Sequence, residues 1–297
     1  MAMYNASLAG GGSSVTIDGV ECEEDLKLKS GIYNISIGTL PYNLYNGSAV
    51  VLNNQLNILG GDGNVTAHYK FNGSSWSSVS SLPYNFYQGG AVVYNDEIHI
   101  LGGSNNNTAH YKFNGTSWTS VSTLPYDFYC GSAVVINGEI HILGSSSSSS
   151  YSTYHYKWDG TTWTSVSKLP YNFDYGSAVV YNNEIHILGS TDSSYSTNHY
   201  KFNGTSWTRV STLPHSLAYG RAEVLDGEIH SIAGSSYYTD HYIFNGTSWE
   251  KIINLPYKFY GGCTTIYDNS VCIFSSSYDD LKLYAYKVGK KMYDKLS

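Results

Sequence analysis

LPYNFYQGGAVVYNDEIHILGGSNNNTAHYKFNGTSW, residues Leu82 to Trp118, decides how the chain folds. It is one copy of a unit that recurs along the sequence. The Leu-Pro pair that opens it stands at Leu40, Leu82, Leu124, Leu169, Leu213 and Leu255, in steps of 42, 42, 45, 44 and 42 residues. A fixed period of this size marks a repeat architecture. Within the unit, Gly90–Tyr94 is apolar and β-branched, Glu97–Leu101 and Ala109–Phe113 alternate, and Trp118–Val121 is a fourth short run. Asn95-Asp96, Gly102-Gly103 and Asn114-Gly115 separate them. Asn-Gly between alternating runs signals a hairpin, because a type I′ turn needs positive φ at both central residues. Each unit therefore predicts a four-stranded antiparallel meander, and no part of it has helical period.

Six such sheets suit a closed β-propeller, in which radial packing leaves only short, protected edges. The expected fold is all-β: a six-bladed propeller over residues 31–297, with residues 1–30 as an N-terminal arm. Ile32–Ile37 precedes Leu40 as Trp76–Val79 precedes Leu82. It therefore reads as a fourth strand without its own blade, placed to close the ring by completing the sixth. The rival for that position is Met292–Leu296. VTIDGVECEEDLKL, residues 15–28, holds a candidate hairpin around Asp18-Gly19.

The unit resembles the kelch repeat: an apolar run, a Gly-Gly doublet, then a Tyr and a Trp at fixed offsets. These are Gly60-Gly61, Tyr69 and Trp76, then Gly102-Gly103, Tyr111 and Trp118. Later copies read Gly144-Ser145 with Tyr156 and Trp163, Gly189-Ser190 with Tyr200 and Trp207, and Ala233-Gly234 with Tyr242 and Trp249. The last has Ser275-Ser276 and no Trp, with Met292 near that place. The resemblance implies the propeller fold; it implies no one activity, since propellers host unrelated functions. The wording LPYxFYxGSAVV and HYKFNGTSW is also similar to arrays in bacteriophage tail and bacterial surface proteins. That likeness implies receptor attachment or adhesion, and a virion or cell-surface location.

Composition narrows the partners. Net charge is −7, which disfavours a nucleic-acid phosphate backbone. Residues 1–30 hold Asp18, Glu21, Glu23, Glu24 and Asp25 against Lys27 and Lys29. No apolar run reaches membrane-spanning length, so no membrane insertion is expected. MAMYNASLAGGG lacks a basic segment followed by an apolar one, so no signal peptide is read and synthesis in a cytoplasm is expected. Cys22, Cys130, Cys263 and Cys272 lack framework spacing and read as reduced thiols. Cys263 and Cys272 flank the Asp268-Asn269 turn and are positioned to face each other or simply to pack.

The alternation of a meander puts the strand-two-to-three loops and the blade-to-blade connections on one face. The turns Asn72-Gly73, Asn114-Gly115, Asp159-Gly160, Asn203-Gly204 and Asn245-Gly246 lie on the other and barely vary. The second-to-third loops do vary: residues 61–66, 103–108, 145–153, 190–197, 235–239 and 275–280. A rigid scaffold with one changing face places binding on that face. The blade-to-blade connections ring the mouth of the central channel. One position there reads Tyr45, Tyr87, Tyr129, Asp174, Ala218, Tyr260; the next reads Asn46, Gln88, Cys130, Tyr175, Tyr219, Gly261. Arg221 is the only arginine beside them. Tyrosine offers a flat apolar face with a polar tip at low entropic cost. The candidate ligand-binding residues are Tyr45, Asn46, Tyr87, Gln88, Tyr129, Asp174, Tyr175, Tyr219, Arg221 and Tyr260. Tyr42, Tyr84, Tyr126, Tyr171 and Tyr257, directly after Pro, read instead as packing between blades.

Other chemistry is disfavoured. His99, His141, His186 and His230 recur in strand two; His68, His110, His155, His199 and His241 recur in strand three. Two histidines per blade do not make a zinc site, and Asn57 stands where the first blade lacks its His. The expectation is a repeated hydrogen-bonded pair between blades. Glu97, Glu139, Glu184 and Glu228 recur, and repetition marks scaffold. Asp174 and Glu223 are the exceptions, positioned to cluster with Arg221 and Tyr219. No catalytic residue, metal or cofactor is expected. Asp62-Gly63-Asn64 lacks the later carboxylate of a calcium loop. The expected function is a non-enzymatic binding module for a cell-surface glycan or surface protein, mounted on a larger assembly through the arm. The alternatives are an intracellular kelch-type interaction scaffold and a sugar-processing or oxidase propeller.

Overall fold

The computed structural model describes residues 6–7, 15–17, 20–22 and 32–288, except 63–65, 105–106, 147–150, 193, 195, 233, 235–238, 256–257 and 275–281. The chain divides into two compact units, Met1–Tyr33 with Val288–Ser297, and Asn34–Lys287. In the first, Ala6–Ser7, Val15–Ile17 and Val20–Cys22 form an antiparallel sheet. Ile17 pairs with Val20, so the hairpin around Asp18-Gly19 is present.

The second unit is a β-propeller of four-stranded antiparallel blades. Blade one is Ser48–Leu52, Gln55–Leu59, His68–Phe71 and Trp76–Ser78. Blade two is Gly90–Tyr94, Glu97–Leu101, Ala109–Phe113 and Trp118–Thr123. Blade three is Ser132–Ile136, Glu139–Leu143, His155–Trp158 and Trp163–Ser165. Blade four is Ser177–Tyr181, Glu184–Leu188, Asn198–Phe202 and Trp207–Thr212. Blade five is Arg221–Leu225, Glu228–Ile232, Asp240–Phe244 and Trp249–Asn254. A composite sheet follows in the order Cys263–Tyr267, Ser270–Phe274, Lys282–Val288 and Ile32–Thr39. Met292–Leu296, the rival for that last place, lies outside the described residues.

The core lies between blades. Val50, Leu52 and Leu59 of blade one pack against Leu82, Tyr84, Phe86, Ile98, Ile100 and Phe113 of blade two. Val92, Tyr94 and Leu101 meet Leu124, Tyr126, Phe128, Ile140 and Trp158 in the same way. The tyrosines after Pro are buried in these seams as expected. Tyr84, Tyr126 and Tyr171 donate to the carbonyls of Gly102, Gly144 and Gly189 at 2.8, 3.1 and 3.0 Å. Tyr257 lies outside the described residues. In blade five His215 replaces the tyrosine; it bonds Ser231 Oγ at 2.9 Å and stacks on Tyr242.

Two expectations are corrected. The type I′ geometry belongs to the strand-one-to-two turns: Asn53-Asn54, Asn95-Asp96 and Asn182-Asn183 all have φ between 49° and 60°. At Asn72-Gly73 and Asn114-Gly115 only the glycine is left-handed, at 99° and 95°. The Asn side chain there accepts from the backbone two and three residues on, as in Asn114 Oδ1 with the Thr116 and Ser117 N–H groups. An Asx turn thus replaces the hairpin turn. The histidine pairs lie within blades, not between them. His99–His110, His141–His155 and His186–His199 are bonded at 2.8 Å and His230–His241 at 3.0 Å, with Asn57–His68 at 3.1 Å. What crosses to the next blade is edge-on ring contact, as of His110 with Trp158 and Trp163.

The recurrent glutamates are scaffold. Glu97, Glu139 and Glu184 pair with Lys112, Lys157 and Lys201 on strand three at 2.8, 2.9 and 2.8 Å. Cys130, Cys263 and Cys272 are free thiols in buried positions. Cys263 lies opposite Phe274 and Cys272 opposite Thr265, so the two cysteines do not face each other across the ladder.

Candidate functional site

The blade-to-blade connections are held by their own backbone. Asn46, Gln88, Cys130, Tyr175, Tyr219 and Gly261 all adopt left-handed φ, between 50° and 65°. This lets each N–H reach the carbonyl of the equivalent residue one blade back. Gln88 donates to Asn46, Cys130 to Gln88, Tyr175 to Cys130, Tyr219 to Tyr175, Gly261 to Tyr219 and Asn46 to Gly261, at 2.8 to 3.1 Å. The circuit returns to its start. At Gly261 a Cβ would sit 2.6 Å from the Tyr45 ring, so a side chain there would displace Tyr45 from its present place.

The second-to-third loops are stitched to the residue just before this ring. Asp62, Ser104, Ser146 and Thr191 donate their N–H groups to the carbonyls of Tyr45, Tyr87, Tyr129 and Asp174. Loops and connections therefore share a face, as the alternation of strands requires.

The side chains of the ring and its neighbours form one partly buried surface. Tyr175 and Tyr219 are 4.3 Å apart between ring centres, Tyr219 and Tyr260 4.5 Å, and Tyr260 and Tyr45 6.5 Å. Asn46 Nδ2 donates to the Tyr87 hydroxyl at 3.2 Å, and Gln88 Nε2 to the Tyr175 hydroxyl at 3.5 Å. The Cys130 thiol lies between the Tyr129 and Tyr175 hydroxyls, and burial pushes it up to about 12. Burial likewise raises the Tyr129 hydroxyl to about 12. These groups are neutral donors and acceptors near pH 7.

Behind the ring, the first strands of the sheets enclose a cavity of 420 Å³. Its wall is built of small residues, Ser48, Ala91, Ser132, Ala133 and Ser177 among them, with Asn46, Gln88 and Tyr175 at its rim. Ser132 Oγ and Ser177 Oγ accept from the Ala178 and Ala222 N–H groups of the following blade, at 3.1 and 2.9 Å. Among the residues lining it, the charges are Arg221 and Glu223. Arg221 Nη1 donates to the Gly220 carbonyl at 2.8 Å. Glu223 Oε1 accepts from Thr264 Oγ1 at 2.7 Å. Burial raises the Glu223 carboxyl to about 7, against the opposing pull of the Thr264 hydroxyl and Arg221.

Of the sequence-predicted residues, Asn46, Gln88, Tyr175 and Arg221 line the cavity; Tyr87 bonds to Asn46, Tyr129 and Tyr219 meet Tyr175, and Tyr260 and then Tyr45 continue the ring from Tyr219. Asp174 Oδ1 accepts from Ser190 Oγ and Thr191 Oγ1 at 2.8 and 2.7 Å, fixing the adjacent loop, and its charge also acts on the Tyr219 hydroxyl. Sequence reasoning passed over Thr264 and Ser177. The available signal was the first position of strand one, which reads Ser48, Gly90, Ser132, Ser177, Arg221 and Cys263 and so breaks its small-polar rule in blade five. Among the described residues no group of three or more His, Cys, Asp or Glu is placed to hold a metal, and no helix is long and apolar enough to cross a membrane.

No known protein family matches the chain, and no curated protein does. Among solved structures, that of YjhT superposes with a TM-score of 0.73 at 15% identity, over 86% of this chain and 98% of YjhT. At that identity the likeness is one of fold: both are β-propellers.

Proposed function

We propose that the chain is a six-bladed propeller of kelch-like repeats, its ring completed by Ile32–Thr39, that works as a non-enzymatic binding module for a surface glycan or surface protein. One observation carries the reading. Partly buried tyrosines and amide side chains converge at the mouth of a polar cavity, on the face whose loops differ from blade to blade. Aromatic faces with polar tips suit sugar rings, and a cavity of this size falls in the range of about 300–1,000 Å³ used for small ligands. In this reading residues 1–30 mount the propeller on a larger assembly, and the likeness to phage and bacterial surface arrays makes receptor attachment or adhesion the setting. The competing reading, a sugar-processing propeller, draws on Glu223, whose carboxyl near 7 beside Arg221 suits proton transfer.

The test is a glycan array that includes bacterial surface polysaccharides, run with the native protein and Tyr87→Ala. The expected result is a defined hit that the substitution removes while the melting temperature stays within a few degrees. A hit that survives, with lost stability, would show Tyr87 to be packing. Turnover of a bound sugar would favour the enzyme.

A further inference from the structure

Blade five departs from blades one to four on the strand that borders the cavity. At the first position of strand one the small residues give way to Arg221, and at the third the valines Val50, Val92, Val134 and Val179 give way to Glu223. The substitutions are two residues apart on one strand, so both side chains leave the same face of it. The neighbouring sheet supplies Thr264, whose hydroxyl donates to Glu223. The three tyrosines in closest mutual contact, Tyr175, Tyr219 and Tyr260, stand at the mouth over the same sector. Blade five is the one described blade that sets a pair of charges at these two positions of its first strand.

We propose that this sector reads the terminal residue of a neutral glycan, which enters end-on past the tyrosines and hydrogen-bonds Arg221 and Glu223. The inference rests on the glycan-binding reading above and sharpens it. Three features point to the ligand class. The cavity, at 420 Å³, is large enough to admit a sugar ring. Among small and valine side chains its lining carries the hydroxyls of Ser48, Thr264 and Thr265 and the amides of Asn46 and Gln88, which donate to and accept from hydroxyl groups. Its two charges are of opposite sign, so with Glu223 ionised they sum to zero. An anion would meet the Glu223 carboxylate and a cation the Arg221 guanidinium, whereas a polyol gives a hydroxyl hydrogen to one and a lone pair to the other. A carboxyl that titrates near neutrality further makes the acceptor role depend on pH.

The test uses the full chain and four free monosaccharides, glucose, galactose, mannose and N-acetylglucosamine, titrated calorimetrically to millimolar concentrations. Native protein, Glu223→Gln, Arg221→Met and, as a control on the exposed fourth strand of blade two, Thr119→Ala are compared, each after its melting temperature is checked. The expected result is binding of at least one sugar, weakened about tenfold or more in Glu223→Gln and Arg221→Met and unchanged in Thr119→Ala. Native affinity should fall below pH 7 as Glu223 protonates, and that pH dependence should vanish in Glu223→Gln, a signature that a merely structural role would not give. If array binding persists while none of the sugars binds, or if binding ignores both cavity substitutions, end-on recognition is overturned and the mouth reading stands. If array and titrations are both blank, both readings fall.

Discussion

Asn57 stands where blades two to five carry His99, His141, His186 and His230, and it makes the same bond to strand three. The position asks for a hydrogen-bonding partner of the strand-three histidine and not for a metal ligand. Asn57→His should therefore change stability by less than about 1 kcal/mol, a shift of a few degrees. Asn57→Ala should cost about 1–3 kcal/mol, because it strands His68 Nε2 in a buried place. Thermal melts of both variants check this; equal losses would sink it. The bonded histidine pairs were legible as pairs but not as pairs within a blade. The sequence shows the period of His99 and His110 but not the ladder register, which sets His99 opposite Lys112 and His110 opposite Leu101. Blade five likewise hides its compensation: His215 for Tyr and Ser231 for Ile make sense only once the two side chains are seen to bond.

At the scale of the element, strands and their order were written in the alternation of Glu97–Leu101 and Ala109–Phe113, because a half-buried pleat demands it. Turn type was less legible. Asn-Gly serves an Asx turn as readily as a hairpin turn, and the residues that follow, Thr116 and Ser117, decide which. The extra residue that strand four carries opposite His110 and Tyr111 leaves no mark in the sequence, yet it sets Ser122 beside His110 Nδ1 at 2.9 Å and the Trp163 indole N–H at 3.1 Å. The Gly doublet does have a reason in its loop. Gly102 has φ of +59°, and a Cβ there would collide with the Phe128 carbonyl oxygen of the next connection. Gly102→Ala should destabilise by more than about 2 kcal/mol, from left-handed strain and the clash together. A urea midpoint close to that of the native protein would contradict this.

At the scale of the molecule, the period of the Leu-Pro pairs gave away the propeller, and the candidate site followed in outline from strand alternation. Its interior was not legible, since which residues line a channel depends on how blades tilt. The proposed completion of the ring by Ile32–Thr39 predicts that a chain beginning at Leu40 melts well below one beginning at Ile32, by circular dichroism; equal melting would remove that role. Acid should act on blades one to five at once. Burial depresses His68, His99, His141, His186 and His215 to about 4, and His110, His155, His199 and His241 to about 3. Folded values below the unfolded value of 6.5 mean that the unfolded chain binds more protons in between. The stability these groups contribute is complete above about pH 6.5 and is lost as pH falls toward 4 and then 3. Each excess proton contributes about 1.4 kcal/mol per pH unit. Glu223, raised to about 7, works in the opposite sense as one group against nine. Chemical denaturation at pH 7, 6 and 5 should show a steep decline, and a flat profile would refute it.

The circuit of backbone bonds from Asn46 through Gly261 has no beginning and no end. A helix terminus leaves bare N–H groups, and those attract anions whatever the side chains are. Here the N–H and C=O of every circuit residue are already spoken for, so the gateway itself is indifferent to charge. In the proposed reading, sign selectivity here is a property of Arg221 and Glu223, and replacing those two side chains by neutral ones would change what binds without touching the frame of backbone bonds.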